Sequence, residues 1–217
     1  MTVLHPLNAA PPKGVRLAEA SDALEAIHHA DCAAAIWQRA FPDGFAEWID
    51  GLSPEQLPSA RVVLTPDRVA DAVTMLCDGA DTPASAHREF LISDAADLAT
   101  HFATIMDAPY LRMRLDKVTT NACRKFHMDA VVARLVCTYR GSGTQYGTSV
   151  AGGDPEVIAR VATGSPIVMR GSLWPETPKS GLLHRSPPIE GSGETRLLFV
   201  LDPASDPEQT ADLHHLH

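Results

Sequence analysis

The chain reads as an α+β protein in which helices brace a small sheet or barrel. Two observations lead there: amphipathic helical patterns crowd the residues before Pro109, and β-rich runs with period-two alternation fill those after it. A length of 217 residues allows one sizeable core. No internal repeat interrupts this order.

Residues 1–16 contain Pro6, Pro11, Pro12 and Gly14 and read as an irregular lead-in. A helix is expected over 21–40, with Ser21 as its N-cap and Leu24, Ile27, Ala35, Ile36 and Trp37 on its apolar face. Phe41-Pro42-Asp43-Gly44 ends it. Phe45, Trp48, Ile49 and Leu52 mark a second, short helix, closed by Gly51 and Pro54. Thr65-Pro66-Asp67 opens a third, which Gly79 stops. Ser93 is read as the cap of a fourth helix running to Met106.

After Pro109 the pattern changes period. Residues 110–120 alternate apolar and polar side chains, as a half-buried strand does, and 130–139 form a nearly continuous β-rich run, as a fully buried strand does. Gly141-Ser142-Gly143-Thr144 is a turn, and 166–170 and 195–201 are further strands. A short helix is expected from Asp154-Pro155-Glu156 to Val161. The tail after Asp202 is polar.

Composition narrows the function classes. Net charge is −9, and the surplus is one-sided: residues 1–108 carry 6 Lys+Arg against 16 Asp+Glu, residues 109–217 carry 12 against 11. An acidic chain without a basic stripe is a poor partner for nucleic acid or an anionic membrane. No apolar run is long enough to span a bilayer, and the first residues lack the pattern of a secretory leader. The scattered Cys32, Cys77, Cys123 and Cys137 suggest reduced thiols in a cytoplasmic protein rather than a disulfide framework.

The chemistry-bearing pattern is His127-Met128-Asp129, followed by a distant His184 and then Arg196. Side chains at i and i+2 of a strand share a face, so His127 and Asp129 would project together. Two imidazoles and a carboxylate on one face of a metal leave the other face open, which suits Fe(II) and O2 chemistry, although Mn(II) and Zn(II) accept the same ligands. Arg196 lies in an apolar strand, where an inward guanidinium needs an anion; its planar fork matches a carboxylate. Each residue also has a plain reading: an ordinary imidazole, a turn histidine, an edge-strand arginine facing water.

Phe126-His127-Met128-Asp129, Leu183-His184-Arg185 and Thr195-Arg196-Leu197 resemble the Fe(II)/2-oxoglutarate-dependent oxygenase superfamily over residues 110–202. The resemblance implies N-terminal helices packed on a C-terminal double-stranded β-helix, a jelly-roll or cupin-like core. It implies His127, Asp129 and His184 as catalytic metal ligands and Arg196 as the ligand of 2-oxoglutarate. Fe(II) is the expected metal, for which Zn, Ni or Mn can substitute. The activity implied is hydroxylation of a small molecule or a protein side chain. Nearly the whole chain also resembles a bacterial domain family of unknown function, number 1826, associated with zinc homeostasis. That gives the alternative, a non-catalytic zinc-binding protein on the same scaffold. The expected organisation is a single domain, 1–217, with a helical section at 17–108, the jelly-roll core at 109–202 and a polar tail at 203–217.

Three smaller features complete the reading. Thr138, Tyr139, Asn121 and Arg112 are candidates for contacts around the metal or co-substrate. Cys123, four residues before His127, is either a thiolate ligand or a small buried residue. His214, His215 and His217 form a weak metal-binding tract or a plain tail.

Overall fold

The computed structural model describes residues 3–4, 11–149, 153–175 and 180–207. The terminal histidine tract lies outside them. The framework is two facing sheets. The larger contains β2 (Val15–Ala18), β3 (Ala34–Trp37), β4 (Ala60–Leu64), β5 (Tyr110–Val118), β6 (Ala133–Arg140), β9 (Ile167–Arg170) and β11 (Arg196–Ala204), in the order β2-β3-β9-β6-β11-β5-β4. The smaller is β1 (Val3–Leu4), β8 (Val157–Arg160), β7 (Gln145–Thr148) and β10 (Leu182–Arg185), in the order β1-β8-β7-β10. A bridge from His127 to His184 extends the smaller sheet beyond β10.

From Tyr110 onward the chain passes back and forth between the layers. β5, β6, β9 and β11 are adjacent in one sheet; the His127 segment, β7, β8 and β10 lie in the other. This is the double-stranded β-helix, with the N-terminal helices packed on its larger sheet.

Alternation along β11 explains the two cores. Leu197, Phe199 and Leu201 point outward and join Leu91, Leu98 and Phe102 of α3 (Ala86–Met106) and Val69, Val73 and Cys77 of α2 (Val69–Gly79). Leu198 and Val200 point inward to Val136, Tyr146, Ile167, Met169 and Leu182. Each fully buried large apolar side chain, Phe199 among them, contributes about 1.5–3 kcal/mol. Arg39 and Asp94 tie the helical layer to the sheet by a two-pronged ion pair, and Tyr139 donates to the same carboxylate at 2.6 Å.

Several expected elements hold: α1 (Phe45–Gly51), α2, β5, β6, β9 and β11 all form near their expected limits. Four expectations are corrected. The helix over 21–40 is a 3-10 helix only over Ser21–His28; Ala34–Trp37 is β3, because its backbone pairs with β2 on one side and β9 on the other, burying Ala34, Ala35 and Ile36. The fourth helix starts at Ala86, capped by the Ser85 hydroxyl accepting from the Arg88 amide at 3.1 Å, so Ser93 lies within it. The stretch 157–160 is β8, not a helix, since pairing with β7 satisfies its backbone. The section read as helical therefore contributes β2, β3 and β4 to the larger sheet. Among the described residues, no helix is long and apolar enough to cross a membrane.

Candidate metal centre

His127, Asp129 and His184 converge, as their order in the sequence suggested. Their ligand atoms all lie within 4.8 Å of one another, and no other group of this kind occurs among the described residues. His127 Nε2 is 3.6 Å from Asp129 Oδ1, and His184 Nε2 is 3.1 Å from Asp129 Oδ2. Donors at about 2.0–2.2 Å from a shared ion would stand about 3 Å apart, so little movement is needed.

Local structure differs from the expected strand. His127 makes one bridge rather than a ladder, exchanging backbone hydrogen bonds with His184 at 3.0 Å in each direction. Asp129 is placed by the far end of β9. Its carbonyl accepts from Ser172 at 2.8 Å, and the neighbouring Val131 and Val132 carbonyls accept from Leu173 and Gly171. That approach needs Gly171: a Cβ there would sit 1.9 Å from the Val131 oxygen and 2.9 Å from the Asp129 oxygen.

The ligand chemistry is set by neighbours. His127 Nδ1 lies 2.9 Å from the Lys125 carbonyl, which can only accept, so Nδ1 carries the proton and Nε2 offers its lone pair. The Asp129 carboxylate raises the His127 pKa above its ordinary value, against burial. Burial pushes His184 down and keeps it neutral, against the pull of Asp129. Burial opposes the Asp129 charge, yet His127, His184 and Arg134 together hold its carboxyl well below the usual carboxylate range. Arg134 pairs with Asp129 Oδ1, while buried Oδ2 has no hydrogen-bond donor, because His184 Nε2 is close but not aligned. An orphaned carboxylate oxygen facing two imidazoles fits a divalent cation.

Arg196 is fully buried, with 0% exposure. It faces inward with Leu198 and Val200, so the edge-strand reading fails. Its Nε donates to the Ser142 carbonyl at 2.6 Å, and both Nη atoms are buried without a partner. Glu194 is nearby, but its carboxylate accepts from the Ser142 amide and hydroxyl. Burial pushes the Arg196 pKa down to about 10, with Glu194 opposing. A charge held there is costly, and an anion against the two free Nη atoms would relieve that cost.

Other candidates separate cleanly. Tyr139 faces the helices and Asp94, and Asn121 braces the Ile189–Glu190 turn; neither reaches the metal group. Thr138 is buried on β6 opposite Leu198. Cys123 is exposed and outside the three-residue group, so the thiolate-ligand reading is not supported by geometry. Arg134 was not anticipated. Its alternation with Val136 and Thr138 along β6 was the available signal, masked by the apolar run around it. Asp202, bound by Arg134 through both oxygens at 2.6 and 2.8 Å, lies at the expected end of the core, with nothing in the sequence to mark it as a partner of β6.

Comparison with known proteins agrees with this architecture. Residues 18–202 match the family model described as "Protein of unknown function (DUF1826)". No curated protein sequence matches the chain. Among solved structures, the chain is similar to dioxygenase for auxin oxidation 1 from Arabidopsis thaliana, solved as a 2-oxoglutarate complex. The TM-score is 0.50 at 11% identity, covering 94% of this chain and 100% of that one. It is also similar to JOX2 in complex with 2OG, Fe and JA, with a TM-score of 0.50 at 13% identity, covering 97% and 82%. At such identities the likeness is one of fold.

Proposed function

The chain belongs to the DUF1826 family, and we propose that it is an Fe(II)/2-oxoglutarate-dependent oxygenase of the hydroxylase type. The observation that carries this reading is a pair of complementary deficits on the inside of one barrel. Asp129 Oδ2 lacks a donor beside two imidazoles, and both Arg196 Nη atoms lack an acceptor. A divalent cation and a dicarboxylate would repair both. The fold shared with 2-oxoglutarate-bound structures supports the same pair of ligands.

In this reading His127, Asp129 and His184 hold the metal and leave its remaining positions open. Fe(II), when bound, supplies the O2 chemistry that side chains lack. The Lys125 carbonyl fixes the His127 tautomer, and Arg134 orients Asp129 through Oδ1. Arg196 receives the distal carboxylate of 2-oxoglutarate in a two-pronged pair, its Nε staying on Ser142. The surrounding apolar side chains, Leu198, Val200 and Tyr146, exclude water and strengthen that pair.

Anaerobic titration of the Fe(II)-loaded protein with 2-oxoglutarate tests this. A visible metal-to-ligand charge-transfer band should develop, be absent in His127→Ala and require about 10–100-fold more 2-oxoglutarate in Arg196→Ala. Zinc retained tightly with no band and no 2-oxoglutarate turnover would overturn the oxygenase reading.

A further inference from the structure

We propose that Arg114, set among Arg61, Arg112 and Arg134 on the inner face of the larger sheet, is the anchor of an oxyanion subsite that recognises a substrate bearing a carboxylate or phosphate group. Its role as a substrate site rests on the oxygenase reading; the anion recognition does not.

Register places the groups. Arg61 is paired with Arg114 across β4 and β5, Arg114 with Val200 and Arg112 with Asp202 across β5 and β11. Directly opposed residues of antiparallel strands share a face, and Val200 belongs to the inward core. All four arginines therefore line the wall that carries Asp116 and Asp202. Side-chain exposure falls along it, from 57% at Arg61 through 26% at Arg112 and 20% at Arg114 to 16% at Arg134. Arg134 ends the row in contact with Asp129. The row thus leads from solvent at the β4 edge to the metal ligands.

The acids on this wall are already engaged. Both oxygens of Asp202 accept from Arg134, at 2.6 and 2.8 Å. Both oxygens of Asp116 accept from Arg61, at 3.1 and 3.3 Å. Arg114 is left between them with no hydrogen bond, 3.9 Å from Asp202 and 4.0 Å from Asp116, and its Nε is buried without a partner. Burial and the Arg134 charge both press against its protonated form. A guanidinium that makes no hydrogen bond, stands only at ion-pair distance from two carboxylates already bonded to other arginines, and is joined to Asp129 through Asp202 and Arg134 has the geometry to receive an oxyanion in two-pronged fashion. Arg196, on β11 beside Val118 rather than Arg114, is a separate position, so co-substrate and substrate anions need not compete.

Calorimetric titration of the zinc-loaded full chain with benzoate, phenyl phosphate and neutral benzamide, with and without saturating 2-oxoglutarate, tests the proposal. At least one acid should bind 10-fold or more tightly than the amide under both conditions, and which acid does so identifies the head group. Arg114→Gln should remove the preference, Arg114→Lys should keep part of it, and both should retain wild-type metal and 2-oxoglutarate affinity. Equal affinity for acid and amide would overturn the proposal. So would a preference that survives Arg114→Gln, since the acid would then be on the metal, or acids displaced by 2-oxoglutarate. A protein that shows the Arg114-dependent preference yet binds no 2-oxoglutarate would instead sink the oxygenase reading alone.

Discussion

His127 and His184 exchange both of their backbone hydrogen bonds, each at 3.0 Å, so two imidazoles far apart in the sequence are held as cross-strand neighbours with ring centroids 4.6 Å apart. The candidate metal site is thus built into sheet pairing, and its geometry should survive without an ion. Substitutions can then be read at the ligands rather than through the fold.

Asp129→Asn keeps the volume but removes the charge that draws the cation. Metal affinity should fall by about 100-fold or more, beyond the 10–100-fold typical of residues that only support a ligand. Competition with a chromophoric chelator measures it. Unchanged affinity would mean that the ion, if any, binds elsewhere.

Gly171→Ala should act at a distance. The added methyl meets the Val131 and Asp129 carbonyls, and the segment carrying Asp129 must shift. The expected result is a folded protein with unaltered far-UV circular dichroism and metal affinity at least about 10-fold weaker. Wild-type affinity would show that the loop does not position the ligand.

Arg196→Met removes a buried guanidinium with two unpaired nitrogens, at the loss of one bond to Ser142. The metal-free protein should become more stable by about 1 kcal/mol, or about 2–4 °C in thermal midpoint. The stabilisation that 2-oxoglutarate gives the wild-type protein should vanish. A destabilised variant would mean that Arg196 is paired in solution.

Arg134→Met breaks the pair with Asp202, a carboxylate whose side chain is 2% exposed, and removes the partner of Asp129 Oδ1. Loss of one member of such a pair should cost about 3–5 kcal/mol, measured by denaturant unfolding. A loss under 1 kcal/mol would show the network to be solvated.

Metal binding should release protons near neutral pH. His127 has a pKa raised above 6.5 in the metal-free fold, chiefly by Asp129, and must be neutral to ligate. In the metal-free chain that raised value contributes stability fully present below pH 6.5 and lost as pH rises through the folded pKa. Asp129 acts in the other direction: its contribution is present above pH 3.8 and lost as pH falls through its depressed folded value. Metal affinity should therefore rise with pH through the His127 transition, with a buffer-dependent binding enthalpy. An affinity flat from pH 6 to 8 would exclude His127 as a ligand.

The sequence alone determined the order of helical and β-rich sections and the candidate ligand set. Period-two alternation in β5 and the apolar runs of β6 and β11 are local consequences of which face each residue must bury, and they survive without knowledge of partners. His127, Asp129, His184 and Arg196 could be picked out because their residue types and order carry the chemistry. What only tertiary structure decided depends on contacts between distant segments. Ala34–Trp37 became a strand because β2 and β9 flank it, overriding a helical pattern. Asp202 became the hub of an arginine network because β11 runs past the expected start of the tail. That Arg114 makes no hydrogen bond and meets Asp202 and Asp116 only at 3.9 and 4.0 Å follows from the closer pairs its neighbours make across the sheet, and one-dimensional spacing carries no record of which acid is already taken.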